Sequence, residues 1–167
     1  RQQLQSDPIT PLMLKKANNR LNKENVNWLY LSVWLGLRPK EVDQLHQEHL
    51  YRIEKLPCGT SVVWVYQTKL TSIPRERRWK PIPLLFQQQK RIPKIIASGA
   101  FKRPLGKTIK RLFGKQTTLY GGRKGFTDLM IDKGQRLEDI SQWLGHRSIE
   151  RTWRDYKDQR VVHFQRV

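Results

Sequence analysis

The sequence predicts an α+β domain that is mainly helical and carries a small antiparallel sheet. Segments with helix-start signals and apolar residues at helical spacing fill both ends of the chain, over about 10–45 and 104–155. β-branched and aromatic residues concentrate between these segments, from Tyr51 to Leu84. Since no internal repeat, low-complexity tract or linker divides the 167 residues, we expect a single domain over 1–167.

Start and stop signals predict the first three helices. Thr10-Pro11 is an N-cap and first-turn pair, which begins a helix that ends near residue 21. A second helix is predicted over 25–35. The Gly36 to Pro39 break ends that helix and begins a third one around 41–45. Arg38 is therefore expected at a junction between two helices.

Three strands are predicted in the middle of the chain: one around Tyr51 and Ile53, one over Ser61–Tyr66 and one over Arg78–Leu84. The third should be an edge strand, because it contains prolines, which cannot donate to a sheet ladder. A basic connection that begins at Lys69 joins the last two strands. Further helices are expected at about 83–90, 104–113, 122–133, 137–144 and 148–155.

The charge balance points to a nucleic-acid partner. Lys and Arg number 33 against 14 Asp and Glu, a formal net charge of +19. Such self-repulsion is usually tolerated where a polyanion neutralises it, although a merely soluble, highly charged surface gives the same count. We expect double-stranded DNA as the partner, and an affinity that falls steeply with salt.

Cysteine content and hydropathy favour a reducing, intracellular setting, and the basic charge adds the expectation that the protein is DNA-associated, in the cytoplasm or nucleoid of a host cell. The single Cys58 cannot form an internal disulfide. The most apolar stretch, Val26–Leu37, is too short to cross a bilayer, so no membrane association is expected. No secretory signal is visible at the N-terminus, in keeping with a reducing interior. Because the sequence begins at Arg1 without an initiator Met, we expect a fragment of a longer protein.

Two short motifs could suggest other chemistry, but neither has the required context. The run Gly106-Lys107-Thr108 is typical of a phosphate-binding loop, yet the earlier glycine of that motif is replaced by Phe101. The histidines of HQEH at 46–49 lack the spacing of a zinc-protease helix, and one cysteine offers no zinc cluster. We therefore expect no cofactor and no metal site.

Four separated segments resemble the conserved boxes of tyrosine recombinases, the phage-integrase family. LGLRPKE at 35–41 resembles the first arginine box, and Thr68-Lys69 ahead of KPIPL at 80–84 resembles the hairpin lysine. YGGRKGFTDLMIDKG at 120–134 aligns without a gap with the second arginine box. WLGHRSI at 143–149, followed by Tyr156, resembles the box that leads to the nucleophilic tyrosine. The four boxes have family-like order and intervals.

The resemblance spans nearly the whole chain and implies a catalytic domain, mainly helical with a three-stranded sheet, that cleaves and rejoins DNA through a 3′-phosphotyrosine. It also implies an N-terminal core-binding domain, absent from this sequence. The partners implied are double-stranded DNA and, in the synaptic complex, three further protomers, with a monomer in isolation. A site-specific recombinase of a phage or another mobile element, such as one that integrates a viral genome, is the expected function.

The resemblance assigns a catalytic role to six residues. Two guanidiniums, Arg38 and Arg123, would clamp the phosphate oxygens by bidentate hydrogen bonds. Lys69 would protonate the leaving 5′-oxygen, and His146 would bind a phosphate oxygen or assist proton transfer. The remaining two are Tyr120, which would contact phosphate, and the nucleophile Tyr156.

The sequence departs from the family pattern at both tyrosines. Tyr120 stands where the family most often has histidine. Tyr156 lies ten residues after His146, one more than usual. One extra residue rotates a helical side chain by about 100°, so either the connecting turn absorbs it or the tyrosine is displaced when DNA is absent.

Basic residues near the boxes are candidate DNA contacts. They are Arg75, Arg77, Arg78, Lys80, Lys124 and Arg147. Three alternatives to a recombinase remain open: a type IB topoisomerase, a telomere resolvase, and a DNA-binding relative that has lost catalysis.

Overall fold

The computed structural model of the protein describes residues 5–68, 74 and 78–146. Seven α-helices and a three-stranded sheet lie in these ranges. The helices are α1 (Pro11–Lys16), α2 (Lys23–Leu35), α3 (Pro39–Asp43), α4 (Ile92–Ser98), α5 (Gly106–Phe113), α6 (Gly121–Asp132) and α7 (Leu137–Leu144). The strands are β1 (Tyr51–Lys55), β2 (Ser61–Tyr66) and β3 (Trp79–Pro83). The predicted α+β class, mainly helical, is confirmed.

Helix α2 is the central helix of the core. The side-chain oxygen of Asn22 accepts from the Asn25 N–H and caps the start of the helix, and Gly36 ends it in the left-handed conformation. Most of the helix is buried, including Trp28, Leu31 and Leu35. Burial of most of the helix explains why its apolar residues, interrupted by Asn27 and Ser32, do not form an amphipathic stripe.

Helix α6 lies directly against α2 because glycines remove the side chains between them. A Cβ atom on Gly122 would lie 2.2 Å from the Ser32 hydroxyl. On a neighbouring face, a Cβ on Gly125 would lie 1.9 Å from the Ile9 carbonyl oxygen. The glycines of this helix therefore fix how closely α6 approaches both α2 and the N-terminal segment.

The sheet is antiparallel with the order β1-β2-β3, so β3 is an edge strand as predicted. Trp64 pairs with Pro81 and Val65 pairs with Lys80. Burial alternates along β3, and the side chains of Lys80 and Ile82 point into the protein. The strand packs against α7 through this inner face.

One predicted helix is wrong. Residues 83–90 do not form an α-helix, because β3 continues through Pro83 and a 3₁₀ turn over Gln87–Arg91 precedes α4. The Gln89 side-chain oxygen accepts from the backbone N–H groups of Leu85 and Phe86, which holds this turn. The helix predicted over 148–155 lies outside the described residues. No described helix has the length and apolar character needed to cross a membrane.

Candidate active site

Arg38 lies at the junction between α2 and α3, where the sequence places it. It is the N-cap residue of α3, and its backbone N–H donates to Oε1 of Glu41 at 2.9 Å. Its Nη1 donates to Oε2 of the same carboxylate at 3.3 Å. The Arg38 side chain remains 28% exposed while that of Glu41 is 8% exposed. Glu41 therefore binds the backbone N–H and one guanidinium nitrogen of Arg38 on the buried side. Part of the Arg38 guanidinium stays exposed to solvent.

Arg123 reaches across from α6 to the ends of two other helices. Its Nη1 donates to the Gly36 carbonyl at 2.8 Å, and its Nη2 donates to the Leu144 carbonyl at 3.1 Å. The same Nη2 lies 3.3 Å from Nε2 of His146. Because a guanidinium only donates, Nε2 is the acceptor in this contact. Arg123 and His146, predicted from different boxes, are thus brought together.

Lys80 is buried beneath these groups, with 2% of its surface exposed. Its Nζ donates to Oε1 of Glu41 at 2.9 Å and to the Leu144 carbonyl at 3.2 Å. This placement is at odds with the predicted DNA contact, because an enclosed ammonium does not face a phosphate. The signal was present in the sequence: Lys80 has the same strand parity as the buried Ile82.

The buried charges shift each other's protonation. Burial would raise the pKa of Glu41, but Lys80, Arg123 and Arg38 outweigh it and lower the pKa to about 2. Burial lowers the pKa of Lys80, Glu41 opposes this effect, and the two arginines add to it, which brings the pKa to about 7. One carboxylate thus lies among three cationic side chains, and the cluster carries excess positive charge.

A cavity of about 250 Å³ opens beside this cluster. Its walls come from the α2–α3 junction, the end of β2, the start of α6 and the end of α7. The lining residues are Arg38, Lys40, Glu41, Gln44, Gln67, Thr68, Tyr120 and Gly145. Two predicted catalytic residues, Arg38 and Tyr120, therefore share one cavity, and Thr68 immediately precedes Lys69 in the chain.

The other predicted site residues are placed as follows. Arg78 donates from Nη1 to the Tyr66 hydroxyl at 3.1 Å, and Lys124 is half-buried on α6. Five predicted residues lie outside the described ranges: Lys69, Arg75, Arg77, Arg147 and Tyr156. Within the described residues, no group of three or more His, Cys, Asp or Glu side chains could hold a metal ion.

The described residues have the fold of a tyrosine recombinase catalytic domain. The chain is similar to the XerH site-specific recombinase bound to a palindromic difH substrate in a post-cleavage complex, with a TM-score of 0.64 and 15% identity over 97% of this chain. It is also similar to the Tn1549 transposon integrase in complex with transposon right end DNA, with a TM-score of 0.57 and 14% identity over 96% of this chain.

The chain spans only part of these structures. It covers 53% of the XerH chain and 65% of the Tn1549 integrase chain. No protein-family model matches the sequence, and no curated protein matches it.

Proposed function

We propose that the chain is the catalytic part of a site-specific DNA recombinase that cleaves and rejoins DNA through a 3′-phosphotyrosine. The observation that carries this proposal is the convergence of Arg38, Arg123 and His146 on one cluster beside the cavity that Tyr120 lines. The excess positive charge of the cluster suits a phosphodiester, whose oxygens gain negative charge as a nucleophile attacks.

In the proposed reaction, the phenol oxygen of Tyr156 attacks a backbone phosphorus, and the bond from phosphorus to the 5′-oxygen breaks. The phenol loses its proton and the leaving 5′-oxygen gains one, for which Lys69 is the proposed donor. Arg38 and Arg123 bind the non-bridging oxygens, and His146 and Tyr120 complete the phosphate contacts. Attack by another 5′-hydroxyl on the phosphotyrosine reverses these steps and releases the tyrosine.

The proposed function also implies an oligomeric assembly and a location in the cell. We propose a monomer that joins three others on paired double-stranded sites, inside a host cell and associated with its DNA. The solved neighbours are themselves DNA complexes of a site-specific recombinase and a transposon integrase. Arg75, Arg77, Arg78, Lys124 and Arg147 are proposed to contact the DNA backbone around the cleaved phosphate.

Covalent trapping tests the proposal. Duplexes that bind the Tyr156→Phe chain would first be selected from a randomised 40-base-pair pool, then nicked near the cleavage position so that a short 5′-hydroxyl fragment diffuses away. The wild-type chain should form a labelled adduct that survives denaturation, and Tyr156→Phe should form none. An adduct that survives this substitution would mean that another residue attacks.

A DNA-binding protein without catalysis is the rival that specific observations favour, since Tyr120 and the ten-residue interval to Tyr156 depart from the family pattern. Tight binding with no adduct from the wild-type chain would establish that rival. Relaxation of a plasmid without paired sites would instead identify a type IB topoisomerase. Resolution of a synthetic four-way junction would support the recombinase, and closed hairpin ends would indicate a telomere resolvase.

A further inference from the structure

Lys80 contacts the two groups that hold the arginines of the candidate site. Its ammonium donates to Glu41, which accepts from both the backbone and the side chain of Arg38. It also donates to the Leu144 carbonyl, which accepts from Arg123 as well. The lysine therefore lies one contact away from each guanidinium.

These contacts join parts of the chain that are distant in sequence. Lys80 lies on β3, Glu41 in the first turn of α3, and Leu144 at the end of α7, two residues before His146. The ammonium carries three N–H donors on a compact head, so one group can serve a carboxylate and a carbonyl at once. In place of Lys80, a methionine of similar shape would leave both acceptors without this donor.

We propose that Lys80 is a positioning residue for the strand-transfer reaction proposed above, and that it fixes Arg38 and Arg123 relative to each other through Glu41 and the Leu144 carbonyl. The inference rests on the proposed function. Lys80 does not touch the phosphate, because its head is enclosed and directed at these two acceptors. Loss of the Lys80 ammonium should displace the Arg38 and Arg123 guanidiniums. Misplacement of a reacting group by about 1 Å can slow a reaction on the order of 100-fold.

The first test compares Lys80→Met with Lys69→Ala on two trapping duplexes, one with the normal 5′-oxygen at the cleaved bond and one with sulfur there. A thiolate leaves without protonation, so sulfur should restore a variant that lacks only the proton donor. Lys80→Met should cleave both duplexes about 100-fold more slowly than wild type, with DNA affinity little changed. Lys69→Ala should be slow only on the oxygen duplex.

Two results would overturn the inference. Wild-type rates in Lys80→Met would show that the lysine is dispensable, and rescue of Lys80→Met by sulfur would make it the proton donor instead. Lys94→Met, which removes an exposed lysine on α4, is the matched control for lost charge. If Lys80→Met does not fold, Lys80→Gln and the neutral double variant Glu41→Gln/Lys80→Met take its place.

A second measurement decides the inference even if the wild-type chain forms no adduct, a result that would refute the proposed function by itself. The side-chain Nε–H NMR signals of Arg38 and Arg123 are sensitive to a change in the surroundings of each guanidinium, whose Nη atoms make the hydrogen bonds described above. Both signals should move in Lys80→Met and stay in place in Lys94→Met. Unmoved arginine signals in a folded Lys80→Met chain would refute the positioning role.

Discussion

Glu41 is the residue on which the candidate site depends most. It is buried, yet it remains ionised because Lys80, Arg123 and Arg38 surround it. Removing the charge from one member of such a cluster leaves the others inside the protein without compensation. The carboxylate therefore holds the cations together against their mutual repulsion, and it also accepts from the backbone N–H of Arg38, the N-cap residue of α3.

Glu41→Gln should lower the free energy of unfolding at pH 7 by about 3 kcal/mol, because buried Lys80 loses its anionic partner. The pKa of Glu41 is lower in the folded chain than in the unfolded one, so its stabilisation is present above pH 4.5 and is lost as the pH falls towards 2. Urea unfolding between pH 7 and 3 measures both effects. Glu138→Gln, at an exposed position, should have the same free energy of unfolding as the wild type. An equal decrease in the free energy of unfolding in both variants would contradict the prediction.

Lys80 should make the free energy of unfolding depend on pH in the alkaline range, whereas Glu41 acts in the acidic range. Its pKa is lower in the folded chain, so between pH 7 and 10.5 the unfolded chain binds the extra proton and stability rises with pH. One proton contributes at most about 1.4 kcal/mol per pH unit. The difference in unfolding free energy between wild type and Lys80→Met should grow in favour of wild type from pH 7 to 9.5. A constant difference would show that the pKa of Lys80 is not lowered by folding.

Among the secondary-structure elements, the turn between α2 and α3 links the core to the site. Gly36 adopts φ +69°, and a Cβ at this position would lie 2.4 Å from the buried ring of Phe126. The Gly36 carbonyl accepts from Arg123. The same glycine therefore ends a helix, leaves room for an aromatic ring of α6 and orients the Arg123 guanidinium.

Gly36→Ala and Gly99→Ala form a matched pair, because both glycines end helices at nearly equal positive φ, while a Cβ on Gly99 would meet nothing within 4 Å. Gly99→Ala should cost about 1 kcal/mol of stability from backbone strain alone. Gly36→Ala should cost roughly 1–3 kcal/mol more, because Phe126 must move. It should also slow adduct formation, which Gly99→Ala should not. Equal unfolding midpoints in the two variants would contradict the prediction.

Short sequence patterns correctly predicted the elements that depend only on neighbouring residues. The prolines of β3 indicated an edge strand, and Gly36 with Pro39 indicated the junction that carries Arg38. The prediction of a helix over 83–90 was wrong because the turn there depends on Gln89, whose amide nitrogen donates to the distant Trp34 carbonyl. A tertiary contact of this kind leaves no periodicity in the sequence.

The candidate site shows the same limit. The resemblance assigned Arg38, Arg123, His146 and Tyr120; Arg123 contacts His146, Arg38 and Tyr120 line one cavity, and both arginines act on the same Glu41 carboxylate. The link between Lys80 and Glu41 was not predicted, because it joins two elements whose relative placement only the folded chain defines. A basic sequence context made Lys80 resemble a surface residue, although its strand parity indicated the inner face.

At the scale of the whole molecule, the net charge of +19 should make the proposed DNA binding sensitive to salt. Each phosphate contact contributes about −0.9 to the slope of log affinity against log salt concentration, so Lys124→Met, which removes a proposed phosphate contact, should make the slope shallower by about one. Lys80→Met should leave it unchanged, because its ammonium is enclosed. Fluorescence anisotropy with one labelled duplex between 50 and 200 mM NaCl measures both slopes. A shallower slope in Lys80→Met would place that lysine on the DNA.

The Leu144 carbonyl, which accepts from Arg123 and Lys80, follows every other described member of the cluster in the sequence except His146. During synthesis, a ribosome-bound chain that has not yet released α7 has both arginines but lacks the acceptor that they share with the buried lysine. Since domains generally fold as units, nascent and truncated chains that lack α7 would hold an incomplete arginine cluster. Under the proposed function, such chains would lack the assembled arginine pair that binds the scissile phosphate.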